Sequence, residues 1–249
     1  NIQFAIKDEE LFILEANPRA SRTMPFVAKV TGNQIIKAGT LLMLGYSIDE
    51  VRNKTKYLSS SSNKVAIKKA IFPWSRFPAE DTMLGPEMKA TGEVLGVGKE
   101  FGTALNKAYA AAGVEINNKE KGIFVTLSDS EKPNFIKTVN KYLELGFTLY
   151  STEGTGKFLK SNGIDSVIVG KADDLGQTSL TIIEDKLVSL VINTPTYANE
   201  LSDGWKIRRL SHETGVAVVS SVREADAFIE AFLNQNLVLD DLEVIQDVS

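Results

Sequence analysis

The sequence contains no cysteine and a single histidine among its 249 residues. Without cysteine the chain can form neither a disulfide bond nor a zinc site built from thiolates, and it has no thiol nucleophile. The lone histidine, His212, has no second histidine or cysteine with which to hold a metal, so we interpret it as a surface or packing residue. The lack of cysteine is also typical of the reducing cytosol, and we expect a cytoplasmic location.

Excess positive charge and long apolar runs are lacking as well. Lys and Arg number 28 and Asp and Glu 32, which leaves a formal net charge of -4 and no overall positive field to hold a nucleic acid or an anionic membrane. No uninterrupted apolar run approaches the roughly 18 residues of a membrane span, and the first residues alternate like a strand instead of following a signal-peptide pattern. We therefore expect no nucleic-acid or membrane partner.

The apolar content, 43% of the residues, is enough for one large domain or two of ordinary size. The chain starts without methionine and within a predicted strand that nothing before it covers or pairs. We expect it to be a fragment of a longer protein.

Residues 1–16 alternate in the manner of a β-hairpin with a polar tip at Asp8-Glu9-Glu10. If the tip is a three-residue loop, the register brings amides and a carboxylate to one face of the hairpin. The pairs in this register are Lys7 with Leu11, Ala5 with Ile13, Gln3 with Glu15, and Asn1 with Asn17.

Periodicity and turn signals give the organisation that follows. They predict helices over 19–29 and 35–44, a polar surface loop over 49–62, a strand over 65–72, an irregular proline-rich segment over 77–86, and a short strand with a helix over 101–112. The polar segment 113–121 precedes a regular alternation of strands and helices, and we place the domain boundary near Asn118.

That alternation predicts five strands, over 123–127, 147–150, 166–169, 187–193 and 216–220, each followed by a helix or a helix-bearing connection. The sequence therefore predicts an α/β protein. An α+β lobe over residues 1–118 is followed by a Rossmann-like domain with a five-stranded parallel sheet over residues 119–249.

A first candidate site lies where the hairpin ends. Glu15 and Asn17 are followed by Arg19 and Arg22, and the register brings Gln3 to the same place. Mg²⁺ takes one or two carboxylates together with phosphate oxygens, and arginines clamp phosphoryl or carboxyl oxygens, so the set suits a magnesium–phosphate site. A plain hairpin with a solvated polar face fits the same spacing, which leaves both readings open.

A second candidate site lies at Ser151–Lys157, where the second strand of the sheet leads into a helix. Small hydroxyls and glycine-freed amides at a helix N-terminus suit an anion. Ligands of open parallel sheets bind beyond the carboxyl ends of the strands, where one crevice could collect Ser128, Thr152, Thr155, Lys171, Asn193 and Thr194. The alternative is that the threonines and glycines only cap the helix.

Four stretches of the first half are specific enough to compare with a family: NIQFAI (1–6), EANPRASRT (15–23), FPWSRFP (72–78) and LGPEMKATGEV (84–94). Together they resemble the end of the second ATP-grasp module of the carbamoyl phosphate synthetase large subunit, and the likeness covers most of residues 1–112. It implies that Gln3, Glu15 and Asn17 bind Mg²⁺ or Mn²⁺ beside the phosphates of ATP. It also implies that Arg19 and Arg22 contact phosphate or the carbamate that is phosphorylated.

In the second half, TEGT (152–155) and INT (192–194) resemble two ligand-binding loops of the methylglyoxal-synthase-like domain that ends the same large subunit. Such domains bind regulatory ligands, of the uridine monophosphate, inosine monophosphate and ornithine class. The likeness implies phosphate contacts from Lys132, Thr152, Thr155 and Lys171, base or second-effector contacts from Asn193 and Thr194, and Arg208 and Arg209 nearby. Two positions depart from the family: Pro195 replaces a frequent hydroxyl, and Glu153 adds a negative charge beside the phosphate.

The resemblance implies a parent enzyme that makes carbamoyl phosphate from bicarbonate, glutamine-derived ammonia and two ATP, for pyrimidine or arginine synthesis. Its partners would be a glutaminase small subunit and the remainder of the large subunit. The family's nucleotide-clamping lobe and adenine pocket would precede Asn1, so we expect the chain alone to be inactive. A stand-alone regulatory module that binds small molecules is the alternative, whereas methylglyoxal synthase activity is disfavoured because Asn193 and Pro195 occupy the loop of its catalytic acid.

Overall fold

The computed structural model describes residues 1–56, 64–74, 77, 82–83, 88, 90–114, 116, 122–195 and 202–234. The described residues up to Lys64 form one compact unit, and those from Val65 onward form a second, larger one. The domain boundary that the sequence predicts near Asn118 lies outside the described residues and stays a prediction. Within the described ranges, no helix is both long enough and apolar enough to cross a membrane.

The first unit is a hairpin followed by three short helices. They are β1 (Ile2–Lys7), β2 (Glu10–Ala16), α1 (Met24–Thr31), α2 (Ile35–Met43) and α3 (Ile48–Lys54). The predicted hairpin and first two helices are confirmed, although α1 begins later than the periodicity indicated. Val51 alone among the described residues of this unit is buried, and large apolar side chains on both hairpin strands face solvent.

The loop predicted over 49–62 is wrong in its first part, because α3 occupies residues 48–54. Ser47 starts this helix with a reciprocal cap: its hydroxyl accepts a hydrogen bond from the Glu50 amide, and the Glu50 carboxylate accepts one from the Ser47 amide at 2.8 Å. A serine followed three residues later by glutamate is a helix start signal that a polar segment can conceal. The rest of the predicted loop, from residue 57, lies outside the described residues.

The hairpin turn also differs from the three-residue loop that we predicted. Asp8 and Glu9 form a two-residue turn with φ of 51° and 63°, so Lys7 pairs with Glu10 instead of Leu11, and the predicted pair of Ala5 with Ile13 is wrong. A bulge between Gln3 and Phe4 takes up one extra residue on β2 and restores the predicted pair of Gln3 with Glu15. The two departures compensate, so the polar pair is as predicted.

The second unit begins with an antiparallel pair, β3 (Val65–Ile71) and β4 (Gly92–Gly98), with α4 (Phe101–Ala111) packed against it. The helix lies close to the backbone of β4, since a Cβ at Gly96 would meet the Ala104 carbonyl oxygen at 2.0 Å. Glycine is therefore required at Gly96 for steric reasons.

The remaining elements form the predicted parallel sheet and its helices. The strands are β5 (Gly122–Thr126), β6 (Thr148–Thr152), β7 (Val167–Val169), β8 (Val188–Asn193) and β9 (Ala217–Val219), and the helices are α5 (Lys132–Glu144), α6 (Glu153–Ser161), α7 (Thr181–Glu184), α8 (Asp203–Thr214) and α9 (Val222–Leu233). The strand order is β7-β6-β5-β8-β9, with all neighbours parallel, which confirms the α/β class. The chain moves outward from β5 to β7 and then returns to β8, so the order reverses between β5 and β8.

Two apolar clusters cover the two faces of this sheet. Ile123 and Val125 belong to one cluster and Phe124 to the other, as the alternation of side chains along a strand requires. The first cluster also contains Tyr109 of α4, whose ring centroid lies 4.7 Å from that of Phe228 in α9. The sheet and the β3–β4–α4 segment therefore share one core.

Gly102 provides a direct test of that shared core. A Cβ at this position would lie 2.3 Å from the Glu230 carbonyl oxygen of α9, so Gly102→Ala should force α4 and α9 apart. Overpacking of this kind costs about 1–3 kcal/mol, measured as the free energy of unfolding in denaturant. Gly154→Ala is the matched control, because a Cβ on that helical glycine meets nothing within 4 Å, and its stability should equal or slightly exceed that of the wild type. Equal stability of the two variants would contradict the packing described here.

Candidate functional sites

The first candidate site is a cluster of oxygen-bearing side chains at the open end of the hairpin. Gln3 Nε2 donates to Glu15 Oε1 at 2.7 Å, and Asn17 Nδ2 donates to the same oxygen at 2.8 Å. The Asn17 amide also donates to the Asn1 carbonyl at 2.7 Å, which fixes the backbone where it leaves β2. The structure thus brings together the three residues that the sequence predicted as metal ligands.

These three residues fit a hard divalent cation. Glu15 supplies a carboxylate, and rotation of each amide about its last torsion would present an oxygen where a nitrogen now donates. Across the described ranges no group of three acidic, histidine or cysteine side chains lies together, so a cation held here needs waters or phosphate oxygens to complete its coordination. That requirement suits Mg²⁺ or Mn²⁺ bound together with a phosphorylated substrate.

The two arginines follow this cluster but do not contact its carboxylate. Arg19 Nη1 donates to the Ala20 carbonyl at 3.3 Å, and Arg22 lies exposed just before α1. Their predicted contact with phosphate or carbamate stays a prediction.

The second candidate site is a cavity of about 760 Å³ at the carboxyl edge of the parallel sheet. Its walls come from the end of β6, the start of α6, the segment after β7 and the start of α8. The lining includes Thr152, Gly154, Lys171, Ser179, Asp203 and Ile207. The cavity lies where open parallel sheets bind their ligands, and its volume is in the range of small-molecule sites.

Thr152 occupies the N-cap position of α6, but its side chain makes no capping hydrogen bond, contrary to the alternative that the sequence left open. Its side chain accepts no hydrogen bond from the first turn of the helix. Instead, its hydroxyl oxygen lies 3.3 Å from Thr155 Oγ1 and 3.5 Å from Thr126 Oγ1, and its one proton is donated to either of these two oxygens. The amides of the first turn of α6 are therefore not satisfied by the Thr152 hydroxyl, and Glu153 and Gly154 of that turn line the cavity.

Charges of both signs surround the cavity. Glu153, which departs from the family pattern, forms an ion pair with Lys157 at 2.7 Å. The hydrogen bond and charge of Lys157, assisted by the charge of Lys171, keep the pKa of Glu153 below its usual value. The negative charge that the sequence places beside the predicted phosphate is thus partly balanced by a neighbouring ammonium group.

A smaller cavity of about 330 Å³ shares Thr126 and Gly204 with the larger one. It is lined by Ser128, Asn193 and Thr194, so the single crevice that the sequence predicted consists of two cavities with common walls. Arg208, almost fully buried, donates to Asn193 Oδ1 at 2.7 Å, and the Ser128 amide donates to Thr194 Oγ1 at 2.8 Å. Asn193 and Thr194 are therefore held in fixed positions at the reversal of strand order.

Two predicted effector residues lie outside the walls of both cavities. Thr155 is buried and its hydroxyl accepts a hydrogen bond from the Leu127 amide at 3.1 Å, which ties β5 to α6. Lys132 forms an ion pair with Asp129 at 2.5 Å. Arg209 also points elsewhere, to the carbonyl oxygens of Trp74 and Phe77.

Sequence reasoning missed several cavity residues. Thr126 ends β5 and Asp203 with Gly204 starts α8, so the rule that ligands bind at the carboxyl ends of strands could have identified these three. Ser179 comes from the connection between β7 and α7, a segment whose sequence carries no signal for the position of its side chains.

His212 borders a third, small cavity of about 110 Å³ beside Lys69 and Trp74, and its ring centroid lies 6.1 Å from that of Trp74. Burial of the ring, then the charges of Lys69, Arg209 and Arg208, lower the pKa of His212 to about 4. This placement agrees with its interpretation as a surface or packing residue.

Because His212 is the only histidine, its imidazole protons give one resolvable pair of NMR signals. His212 as a whole residue is exposed, so solvent weakens both the effect of burial on its ring and the neighbouring charges, and we expect the measured pKa between about 4 and the ordinary 6.5. A pKa lowered by folding means that the unfolded state binds the proton more tightly. The contribution of His212 to the free energy of unfolding is therefore complete above pH 6.5 and is lost as the pH falls toward 4. Lys69→Gln should raise the pKa, whereas a wild-type value of 6.5 or more would contradict the environment described.

Comparisons with known proteins agree with this geometry. Residues 134–220 match the MGS-like domain, and residues 1–51 match the carbamoyl-phosphate synthase L chain, ATP binding domain. The chain is 37% identical over 245 residues to the "Carbamoyl phosphate synthase large chain, C-terminal section" of Aquifex aeolicus, which covers 93% of this chain and 45% of the relative. The protein of the same description from Methanocaldococcus jannaschii is 37% identical over 239 residues, which cover 93% of this chain and 38% of the relative. The "Carbamoyl phosphate synthase large chain" of Brucella suis is 40% identical over 239 residues, which cover 93% of this chain and 20% of the relative.

The fold and the matched segments define an MGS-like α/β domain preceded by part of an ATP-binding domain. By sequence, the chain belongs with the C-terminal sections of carbamoyl phosphate synthase large chains. It spans less than half the length of these relatives.

Proposed function

We propose that this chain is the C-terminal part of the large subunit of a glutamine-hydrolysing carbamoyl phosphate synthase, an ATP-dependent ligase. The observation that carries the proposal is the convergence of Gln3 and Asn17 on Glu15 within the segment that matches the ATP-binding domain. In the parent enzyme these residues bind Mg²⁺ or Mn²⁺ beside the ATP phosphates. Arg19 and Arg22 stabilise the charge on the phosphoryl group or on carbamate.

The exposure of the hairpin supports a parent protein with further parts. Ile6 and Phe12 lie on opposite faces of the hairpin and are 71% and 46% exposed. Apolar side chains on both faces of a two-stranded hairpin cannot all be covered by the hairpin itself. The remainder of the large subunit would cover them, and a glutaminase small subunit would complete the enzyme. We place this assembly in the cytoplasm.

The cavities of the parallel sheet would bind the allosteric effector. Thr152 and Lys171 in the larger cavity take the phosphate of a nucleotide, and Asn193 and Thr194 in the smaller cavity contact the base or a second effector of the ornithine class. Lys132 and Thr155, which line neither cavity, are left out of this proposal. Binding there would change the affinity or geometry of the metal site, and by linkage the metal site would change effector affinity.

Activity should depend on Glu15 in the reconstituted enzyme. We expect the chain alone to form no carbamoyl phosphate from bicarbonate, glutamine and ATP, and to do so when combined with the rest of the large subunit and the small subunit. Glu15→Gln removes the one carboxylate of the cluster and should lower that activity by at least the ~10–100-fold that loss of a residue orienting a ligand costs. Glu10→Gln, at the start of the same strand, is the control with activity unchanged. Full activity of Glu15→Gln would sink the metal assignment.

Effector binding is tested by calorimetric titration with uridine monophosphate, inosine monophosphate and ornithine. Thr152→Ala and Lys171→Ala should each weaken nucleotide binding, the lysine variant by about tenfold or more because a charge-assisted contact to phosphate is lost. Lys137→Ala, an exposed lysine on α5, should bind like the wild type. Failure of a folded wild-type sample to bind any of the three would overturn the effector site.

A stand-alone regulatory module is the second candidate. It is favoured because residues of this chain bury both faces of the parallel sheet in apolar clusters. The two experiments separate the candidates. Nucleotide binding without any activity in the reconstituted mixture would favour the module, whereas activity that depends on Glu15 would exclude it.

A further inference from the structure

Two consecutive arginines of α8 hold different parts of the second unit. Arg208 donates to Asn193 Oδ1 at 2.7 Å, in the wall of the smaller cavity. Arg209 donates through Nη1 to the carbonyl oxygens of Trp74 and Phe77, at 3.0 and 2.9 Å. One turn of this helix therefore joins the wall of a proposed ligand site to the segment that follows β3.

The guanidinium group of Arg209 is fixed on all sides. The residue is 8% exposed, and a buried charge is stable only when it is paired and hydrogen-bonded. Glu213, one turn further along α8, provides a carboxylate oxygen 2.6 Å from Nε, while the two carbonyl oxygens accept from Nη1. Because the group is planar and rigid, a movement of α8 at Arg209 either moves these carbonyls or breaks their hydrogen bonds.

The segment 72–77 is a turn that packs on the same helix. The Phe77 amide donates to the Trp74 carbonyl at 3.0 Å, which brings both carbonyl acceptors together. The buried ring of Trp74 lies 5.1 Å from that of Phe72 and 6.1 Å from that of His212 in α8, measured between centroids. The turn therefore has polar and apolar contacts with α8.

The start of α8 is packed equally closely on the effector side. A Cβ on Gly204 would lie 3.1 Å from Arg208 Nη1 and 3.5 Å from Asn193 Nδ2. We propose above that Asn193 contacts a ligand, and its oxygen already accepts from Arg208. A ligand that takes this oxygen or presses on Gly204 therefore displaces α8, because a packed interior has little free space to absorb the change.

β3 is the strand by which the chain enters the second unit. The described residues up to Lys64 form the first unit, which contains the proposed metal ligands, and β3 begins at Val65. The strand pairs with β4 along its whole length and ends at Ile71, directly before the segment 72–77. A change in this segment thus acts on the strand that continues the chain from the proposed metal-binding unit.

We infer that Arg209 is a positioning residue for the proposed regulation, and that its hydrogen bonds to Trp74 and Phe77 transmit occupancy of the effector cavities to the segment 72–77. Arg209 itself lines neither cavity. The inference rests on the proposed effector function and adds to it the contact that couples the cavities to the rest of the enzyme. Such coupling is a free energy separate from that of binding, so loss of the contact should remove the coupling and leave the binding.

The test measures binding and coupling separately. Uridine monophosphate and inosine monophosphate are titrated calorimetrically against the chain, and the KM for ATP of the reconstituted enzyme is measured with and without each nucleotide. The variants are Arg209→Gln and Glu213→Gln, of which the second loosens Arg209 without removing it and decides the matter by the same criteria if the first does not fold. Arg223→Gln, which changes an exposed arginine on α9, is the matched control.

We expect Arg209→Gln to bind the nucleotides like the wild type and to reduce the nucleotide-dependent change in KM about twofold or more, as loss of a coupling contact does in other proteins. Glu213→Gln should have a smaller effect in the same direction, and Arg223→Gln none.

Trp74 provides a second readout within the segment itself. The chain has two tryptophans, and Trp205→Phe removes the other one without loss of a hydrogen bond, because Trp205 Nε1 has no partner in the part of the chain that the structure describes. In this background a saturating nucleotide should change the fluorescence of Trp74, and Arg209→Gln should abolish the change. A purely structural role of Arg209 would lower stability and leave the change in place.

Four results would overturn the inference. An unchanged nucleotide effect on KM in folded Arg209→Gln means that the coupling takes another route. A parallel loss of nucleotide affinity means that Arg209 supports the cavities themselves. Nucleotide binding to the wild type with no change in KM or in Trp74 fluorescence means that there is no coupling to transmit. Absence of nucleotide binding in the wild type means that the proposed effector function itself is wrong.

Discussion

The order of the strands in the parallel sheet determines where this protein can bind a ligand. All five strands point the same way, so their carboxyl ends and the segments that follow them lie along one edge. The order reverses between β5 and β8, and the connections from these strands leave in opposite directions, which opens the edge at that point. Thr126, at the end of β5, and Gly204, at the start of α8, line both cavities. Residues more than sixty positions apart thus become neighbours through topology alone.

The sheet could be predicted from the sequence because its strands are short apolar runs separated by clear turn and helix signals. Ile123, Phe124 and Val125 are fully buried, two on one face of the sheet and one on the other. A short apolar run between helix signals indicates a strand that is buried on both faces. The site was predictable to the extent that it lies at strand ends, as for Thr152 and Asn193. Ser179 was not predictable, because its position depends on the hydrogen bond that its amide donates to the Gly170 carbonyl, which no local pattern indicates.

The hairpin shows a different limit of sequence reasoning. The polar pair of Gln3 and Glu15 was predicted from a loop of the wrong length, and the structure reaches the same pair through a shorter turn and a bulge. Side chains alternate with a period of two, so one change of register would have turned Glu15 away from Gln3, and the bulge reverses that change. The predicted pair is therefore correct although the predicted loop length is wrong, because the bulge offsets the shorter turn.

The glycines that allow α4 to approach its neighbours have a further consequence for protein engineering. Gly96 admits the helix to the β3–β4 pair, and Gly102 admits α9 to the helix, so this segment and the sheet are shaped to each other in a way that other side chains would block. A chimaera that exchanges the ligand-binding sheet between related enzymes therefore has to carry the donor's chain from Val65 onward. A junction placed after α4 would combine α4 of one enzyme with α9 of the other, and the contacting surfaces of these two helices would not be matched.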